Sequence, residues 1–137
     1  MGNIKEDLSD LGLLWLRALT GVGIASHGFG KVFGGKIDQF AEGVAAMGFP
    51  APKLFAWAAS LSEFLGGICI ALGLFTRPAA LFVFTTMAVA IFIKHGQDPF
   101  KRKELAMAYW TISGALMGLG AGKFSLDHLI HKFRKES

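Results

Sequence analysis

The chain has 137 residues, 53% of them hydrophobic, with a mean hydropathy of +0.47. That apolar excess excludes an ordinary soluble domain of this size and marks an integral membrane protein, with room for about four spans of roughly 20 residues in one domain. The formal charge of +4 needs no nucleic acid to explain it, because membrane proteins gather Lys and Arg in loops and at anionic headgroups.

Residues 1–10 are a polar lead-in carrying Lys5, Glu6, Asp7 and Asp10. The first apolar stretch covers residues 11–33. Its flank is acidic, Arg17 interrupts it and no A-x-A site follows, so it reads as a retained span and not a signal peptide. Gly34-Gly35 then breaks the helix. Residues 37–47 fit a short amphipathic helix with Ile37, Phe40, Ala41 and Val44 on one face. Gly48, Pro50 and Pro52 end it, and Pro52 suits the start of the second span.

The second span, residues 54–75, holds one charge, Glu63, near its middle. A carboxylate at that depth costs roughly 2.5–3.5 kcal/mol on insertion scales, so Glu63 is expected to face other helices, to be protonated or to have a cationic partner. Thr76-Arg77-Pro78 makes a tight connection to a third span at residues 78–94. The polar loop KHGQDPFKRK (residues 94–103) leads to a fourth span at 104–122. There Gly114, Gly118 and Gly122 recur every four residues and offer a close-packing face. The tail, residues 123–137, is basic and amphipathic, suited to the membrane surface. The expected fold is thus an all-α membrane protein, a four-transmembrane-helix bundle with a short amphipathic helix between spans one and two. The loop and tail basic residues divide six against seven between the two sides, so the positive-inside rule does not decide the orientation.

Span one carries a polar stripe. Arg17, Thr20, Ile24, His27 and Lys31 are spaced three, four, three and four apart and share one helix face. If span one begins at Leu11, Arg17 lies roughly 9 Å deep and His27 roughly 24 Å. Glu63, counted from Phe75, lies roughly 18 Å from the same surface. Either Arg17 or His27 is therefore its expected partner. Two readings follow: an ion pair that fixes helix register, or a polar pocket for a ligand or proton. His27 is either a proton donor to a ligand or a helix-end histidine bonded to a carbonyl. Lys31 reads first as an interfacial lysine that snorkels. Trp57, Tyr109 and Trp110 read as interfacial aromatics, and Tyr109 alternatively turns inward. Cys69, the only cysteine, excludes an intramolecular disulfide and a C-x-x-C motif. No histidine spacing claims a metal.

The chain resembles the DoxX family of small four-span membrane proteins. The resemblance rests on Arg17 followed by HGFGKVFGG (His27 onward), GFPAP from Gly48, and E-F-L-G-G from Glu63 through Gly66 and Gly67. It continues with LGLFTRPAA from Leu72, E-L-A from Glu104, and G-x-G-K-F-S-L-D from Gly120. The resemblance implies a multi-pass cell (inner) membrane protein similar to the small membrane subunit of thiosulfate:quinone oxidoreductase. It implies a part in a membrane oxidoreductase or in oxidative or thiol stress. It brings no metal, haem, flavin or iron–sulfur motif, so the expected redox carrier is a quinone or sits on a partner. On this reading Arg17, His27 and Glu63 line an intramembrane pocket. His27 or Lys31 bonds a quinone carbonyl, and Glu63 carries the accompanying proton. Gly66 and Gly67 admit a flat ring against the backbone, and an inward Tyr109 joins the ligand site. Two other readings are a non-catalytic scaffold for a soluble redox enzyme and a small proton or metabolite carrier. A homodimer packed on the span-four glycines would supply the symmetry a carrier needs.

Overall fold

The computed structural model describes residues 3–94 and 96–136, which are helical almost throughout with no strand among them. Helix α1 runs Ile4–Phe33. It begins ahead of the apolar stretch because the Asn3 side chain accepts from the Lys5 amide at 3.0 Å, and because Glu6 and Asp7 complement the helix N-terminus. Helix α2 covers Ile37–Ala46. Helix α3 spans Pro52–Leu72, with proline in its first turn, and stops at Gly73, whose φ of 70° is left-handed. Helix α4, Thr76–Val89, continues through a π-helical turn at Ala90–Lys94. Helix α5 is Phe100–Leu119 and helix α6 is Leu126–Glu136. Three of these segments, Ile4–Phe33, Pro52–Leu72 and Thr76–Lys94, are long and apolar enough to cross a membrane.

The tightest packing joins α1 to α3, antiparallel, and glycine permits it. A Cβ on Gly21 would strike the backbone of Gly67 and Ala71. One on Gly67 would strike Ala25 and Gly21, and one on Gly28 would strike Phe64. Backbone therefore lies on backbone along this seam, as small residues allow between membrane helices. The span-four glycines do less than their spacing suggests. Gly114 takes the Phe84 ring, Gly122 faces the side chains of Asp10 and Leu13, and Gly118 faces open space.

Helix α4 packs on α3 at one side and α5 at the other. Ile24, Ile70, Ala80, Val83 and Leu116 form the core between them, all fully buried. Trp110 of α5 stacks on Phe84 and meets Phe92 edge-on. Large side chains on the outer faces, such as Leu19, Val22 and Phe29 of α1, are exposed and form the lipid-facing surface.

At one end of the bundle the chain is tied by polar contacts. Arg17, 0% exposed, donates to the carbonyls of Ile70 and Ala71 (both 3.3 Å) and of Phe124 (2.6 Å). Asp127 accepts from the amides of Phe75 (2.7 Å) and Thr76 (2.9 Å) at the start of α4. Lys123 joins the same end to α1 through Asp7 and Asp10. Arg17 therefore closes a helix end, where the last carbonyls of α3 lack intrahelical partners. It does not pair with Glu63.

Candidate functional site

At the opposite end the helices diverge around a cavity of about 740 Å³. Its polar wall gathers residues from several helices. His27 and Lys31 come from α1, Glu63 from α3 and Tyr109 from α5. The rest is largely apolar, with Phe40 and Val44 of α2, Phe55 of α3, and Phe82 and Met87 of α4 among the lining side chains.

Glu63 is 5% exposed, and its partner is Lys31. The ammonium reaches both carboxylate oxygens, at 2.9 and 3.0 Å. Sequence-based depths pointed to Arg17 or His27 because they set Leu11 level with Phe75. The glycine seam fixes a different register, in which Gly28 meets Phe64 and Arg17 meets the end of α3. The shift is about four to six residues, or roughly 6–9 Å. Lys31 is therefore not a lysine that simply snorkels to the interface. Its aliphatic stem carries the charge back into the bundle, to the depth of Glu63.

The remaining cavity residues are held by local contacts. His27 and Tyr109 rings meet edge-on, with centroids 6.0 Å apart. The Tyr109 hydroxyl comes to within 2.6 Å of where a Cβ on Gly23 would sit, so the absence of a side chain at Gly23 gives the phenol room beside α1. Phe40 of α2 lies beneath two ammonium groups, Lys31 at 4.6 Å and Lys94 at 5.4 Å from its ring centroid. Both distances fall within cation–π range. These contacts bring α2 across the cavity, where Val44 is buried and Lys53 pairs with Asp38 at 3.4 Å.

The structure thus brings His27, Lys31, Glu63 and Tyr109 to one cavity and leaves three other candidates outside it. Arg17 is at the far end of the bundle. The space over Gly67 is filled by α1, and Gly66 faces a Val83 methyl group, so neither offers backbone to a flat ring. Sequence reasoning missed Asp127 as a helix cap and Phe40 as the seat of two cations. The D in G-K-F-S-L-D was visible, but only the fold brings it to the α4 amides, 51 and 52 residues away in sequence.

Residues 12–96 match the DoxX family. The chain belongs to that family. Inner membrane protein YqjF of Escherichia coli (strain K12) is 32% identical over 132 residues, covering 93% of this chain and 98% of YqjF. Inner membrane protein YphA of the same organism is 35% identical over 92 residues, covering 66% of this chain and 55% of YphA. No solved structure matches the chain. With DoxX-family relatives in the inner membrane and three segments able to span it, this is a multi-pass inner membrane protein. The family match includes all of α1, α2, α3 and α4 except the first turns of α1, and so contains Lys31 and Glu63.

Proposed function

We propose that this DoxX protein is a quinone-interacting component of a membrane oxidoreductase system. The observation that carries the reading is buried Glu63 paired with half-buried Lys31 on the wall of a largely apolar cavity. Ionisable groups within membrane helices are rare and usually serve function. The residues suit a quinone: apolar walls accept its ring and tail, and Lys31, Tyr109 and His27 carry donors for carbonyl oxygens.

A bound quinone would supply the electron acceptor, and reduction to the quinol takes up two electrons and two protons. The electrons come from a partner enzyme. This chain's part is to hold the ring and move protons. Lys31 would donate to a carbonyl oxygen while the Glu63 carboxylate holds the ammonium in place. A proton given up by Lys31 would be replaced from water at the cavity mouth, taken up first by the Glu63 carboxylate and passed on to the amine, and a second passage by the same route would supply the second proton of the quinol. Helix α5 completes the enclosure as a fourth span; its 20 residues reach about 30 Å, the thickness of the hydrocarbon core. Arg17 contributes by keeping α3, α4 and the C-terminal segment in register.

The test is a tryptophan-quenching titration with a ubiquinone or menaquinone analogue in nanodiscs, using Trp15, Trp57 and Trp110 as reporters. Saturable binding that weakens in Glu63→Gln supports the reading. Absence of saturable binding to the wild type overturns it. One observation favours a scaffold role as a second reading: α6 buries no residue against the bundle and carries basic groups, leaving a face that a soluble redox enzyme could take.

A further inference from the structure

The cavity wall is electrically unbalanced. Among the described residues lining it, Glu63 is the one carboxylate, and Lys31 already engages both of its oxygens. Lys94 and Arg102 also line the cavity and bring two more positive charges. Both are exposed, Lys94 in the π-helical turn and Arg102 in the first turn of α5, so they stand at the mouth and not at the buried end. Lys94 is kept over the cavity by the Phe40 ring beneath it.

A quinone ring is neutral and does not account for these two cations. The walls beside them are apolar and unsealed. Phe55 of α3 and Phe82 of α4 line the cavity and are also 42% and 60% exposed, so the inner wall is continuous with the apolar outer surface of the bundle. A cavity with an apolar wall open to the hydrocarbon and two cations at its rim matches one chemistry, an amphiphile with an anionic head. In this protein's surroundings that amphiphile is a phospholipid.

We infer that the cavity mouth is an anionic phospholipid site, in which Lys94 and Arg102 hold the phosphodiester and an acyl chain lies along Phe55 and Phe82. Arg102 can present two parallel N–H donors to phosphate oxygens, and Lys94 adds a point charge that its stem can aim. The headgroup contacts lie at the rim, apart from the Glu63–Lys31 pair, while the acyl chain runs along the apolar wall of the same cavity; the headgroup site does not depend on a quinone being bound.

The experiment is native mass spectrometry of the full chain released from nanodiscs of phosphatidylcholine with or without phosphatidylglycerol, with no quinone present. Wild type is expected to retain phosphatidylglycerol in preference to phosphatidylcholine. Lys94→Gln and Arg102→Gln should each weaken that retention roughly fivefold, and together about 30-fold, from the usual worth of a basic residue against an anionic lipid. Lys101→Gln with Lys103→Gln serves as the control, because neither residue lines the cavity. Equal retention by wild type and the Lys94/Arg102 double variant would overturn the inference, as would an equal loss in the control, which would signal general surface charge. Displacement of the lipid by inorganic phosphate at comparable concentration would also overturn it, in favour of a free anion. Because quinone is absent, none of these outcomes bears on quinone binding.

Discussion

Arg17 and Asp127 grip the same turn from its two sides. Arg17 takes the carbonyls of Ile70 and Ala71, which end α3, and Asp127 takes the amides of Phe75 and Thr76, which open α4. The Asp127 amide also donates to the Gly73 carbonyl at 2.8 Å. The α3–α4 connection is thus held by an arginine from α1 and an aspartate from α6. Each helix end meets the charge that its unsatisfied groups prefer.

Arg17→Ala is expected to impair folding more than it impairs any chemistry at the cavity. It takes a donor from three carbonyls, of which Ile70 alone keeps the Gly73 amide, and leaves an empty space where a fully buried side chain was. An unsatisfied buried carbonyl costs about 1–3 kcal/mol, and the cavity adds to that loss. Asp127→Asn keeps one of the two acceptors and sets an NH2 against the other amide, so it should cost more than the roughly 1 kcal/mol of a typical cap. Membrane accumulation and the midpoint of denaturant unfolding would check both. A stable Arg17→Ala protein would remove the structural assignment.

The Glu63–Lys31 pair should be strongly non-additive. Lys31→Met strands a buried carboxylate and is expected to cost about 3–5 kcal/mol, whereas the double variant Lys31→Met with Glu63→Gln should recover most of that loss. A double-mutant cycle on unfolding measures the coupling. Coupling below about 0.5 kcal/mol, the ordinary error of additivity, would mean that the two groups do not depend on each other.

The α1–α3 seam makes contrasting predictions for glycine. Gly21→Ala and Gly67→Ala each drive a methyl into helix backbone that cannot yield, and overpacking of this kind costs about 1–3 kcal/mol or more. Gly12→Ala and Gly30→Ala meet nothing, and each should stabilise its helix by up to about 1 kcal/mol. Thermal unfolding in detergent of the four variants, side by side, tests the register directly.

Gly23→Ala should affect the ligand more than the fold. The added methyl meets only the end of the Tyr109 side chain, which can swing away. Quinone-analogue affinity is expected to fall severalfold, by about 1 kcal/mol for a displaced hydrogen-bond donor, with little change in unfolding midpoint. If Tyr109→Phe matches wild type in the same titration, the phenol hydroxyl has no part in binding.

Much of the architecture was legible in sequence because membrane helices announce themselves by length and apolarity. The stripe faces the bundle at Arg17, Thr20 and Ile24, which are buried, while His27 is exposed and Lys31 half-buried. Pairing was less legible. Depth counted along two separate helices carries the errors of both starting points, and α1 begins at Ile4, not at residue 11. Gly21, Gly28 and Gly67 held the information that sets the register. They are scattered through a glycine-rich chain, while the regularly spaced Gly114, Gly118 and Gly122 run along and just past α5, whose buried residues are Ser113 and Leu116. Lys31 was legible as a charge near a helix end. That its stem turns inward depends on where Glu63 sits, which only the packed helices determine.

The glycine seam also decides which parts of the bundle can yield. Helices in backbone contact have no side chains between them to rearrange, so α1 and α3 behave as one stiff frame. Helix α5 packs chiefly on α4 and touches α1 lightly, with Tyr109 against Gly23 among those contacts. Any room for a bulkier guest therefore lies toward α5, which packs on α4, while Lys31 and Glu63 sit on the frame whose spacing the seam fixes.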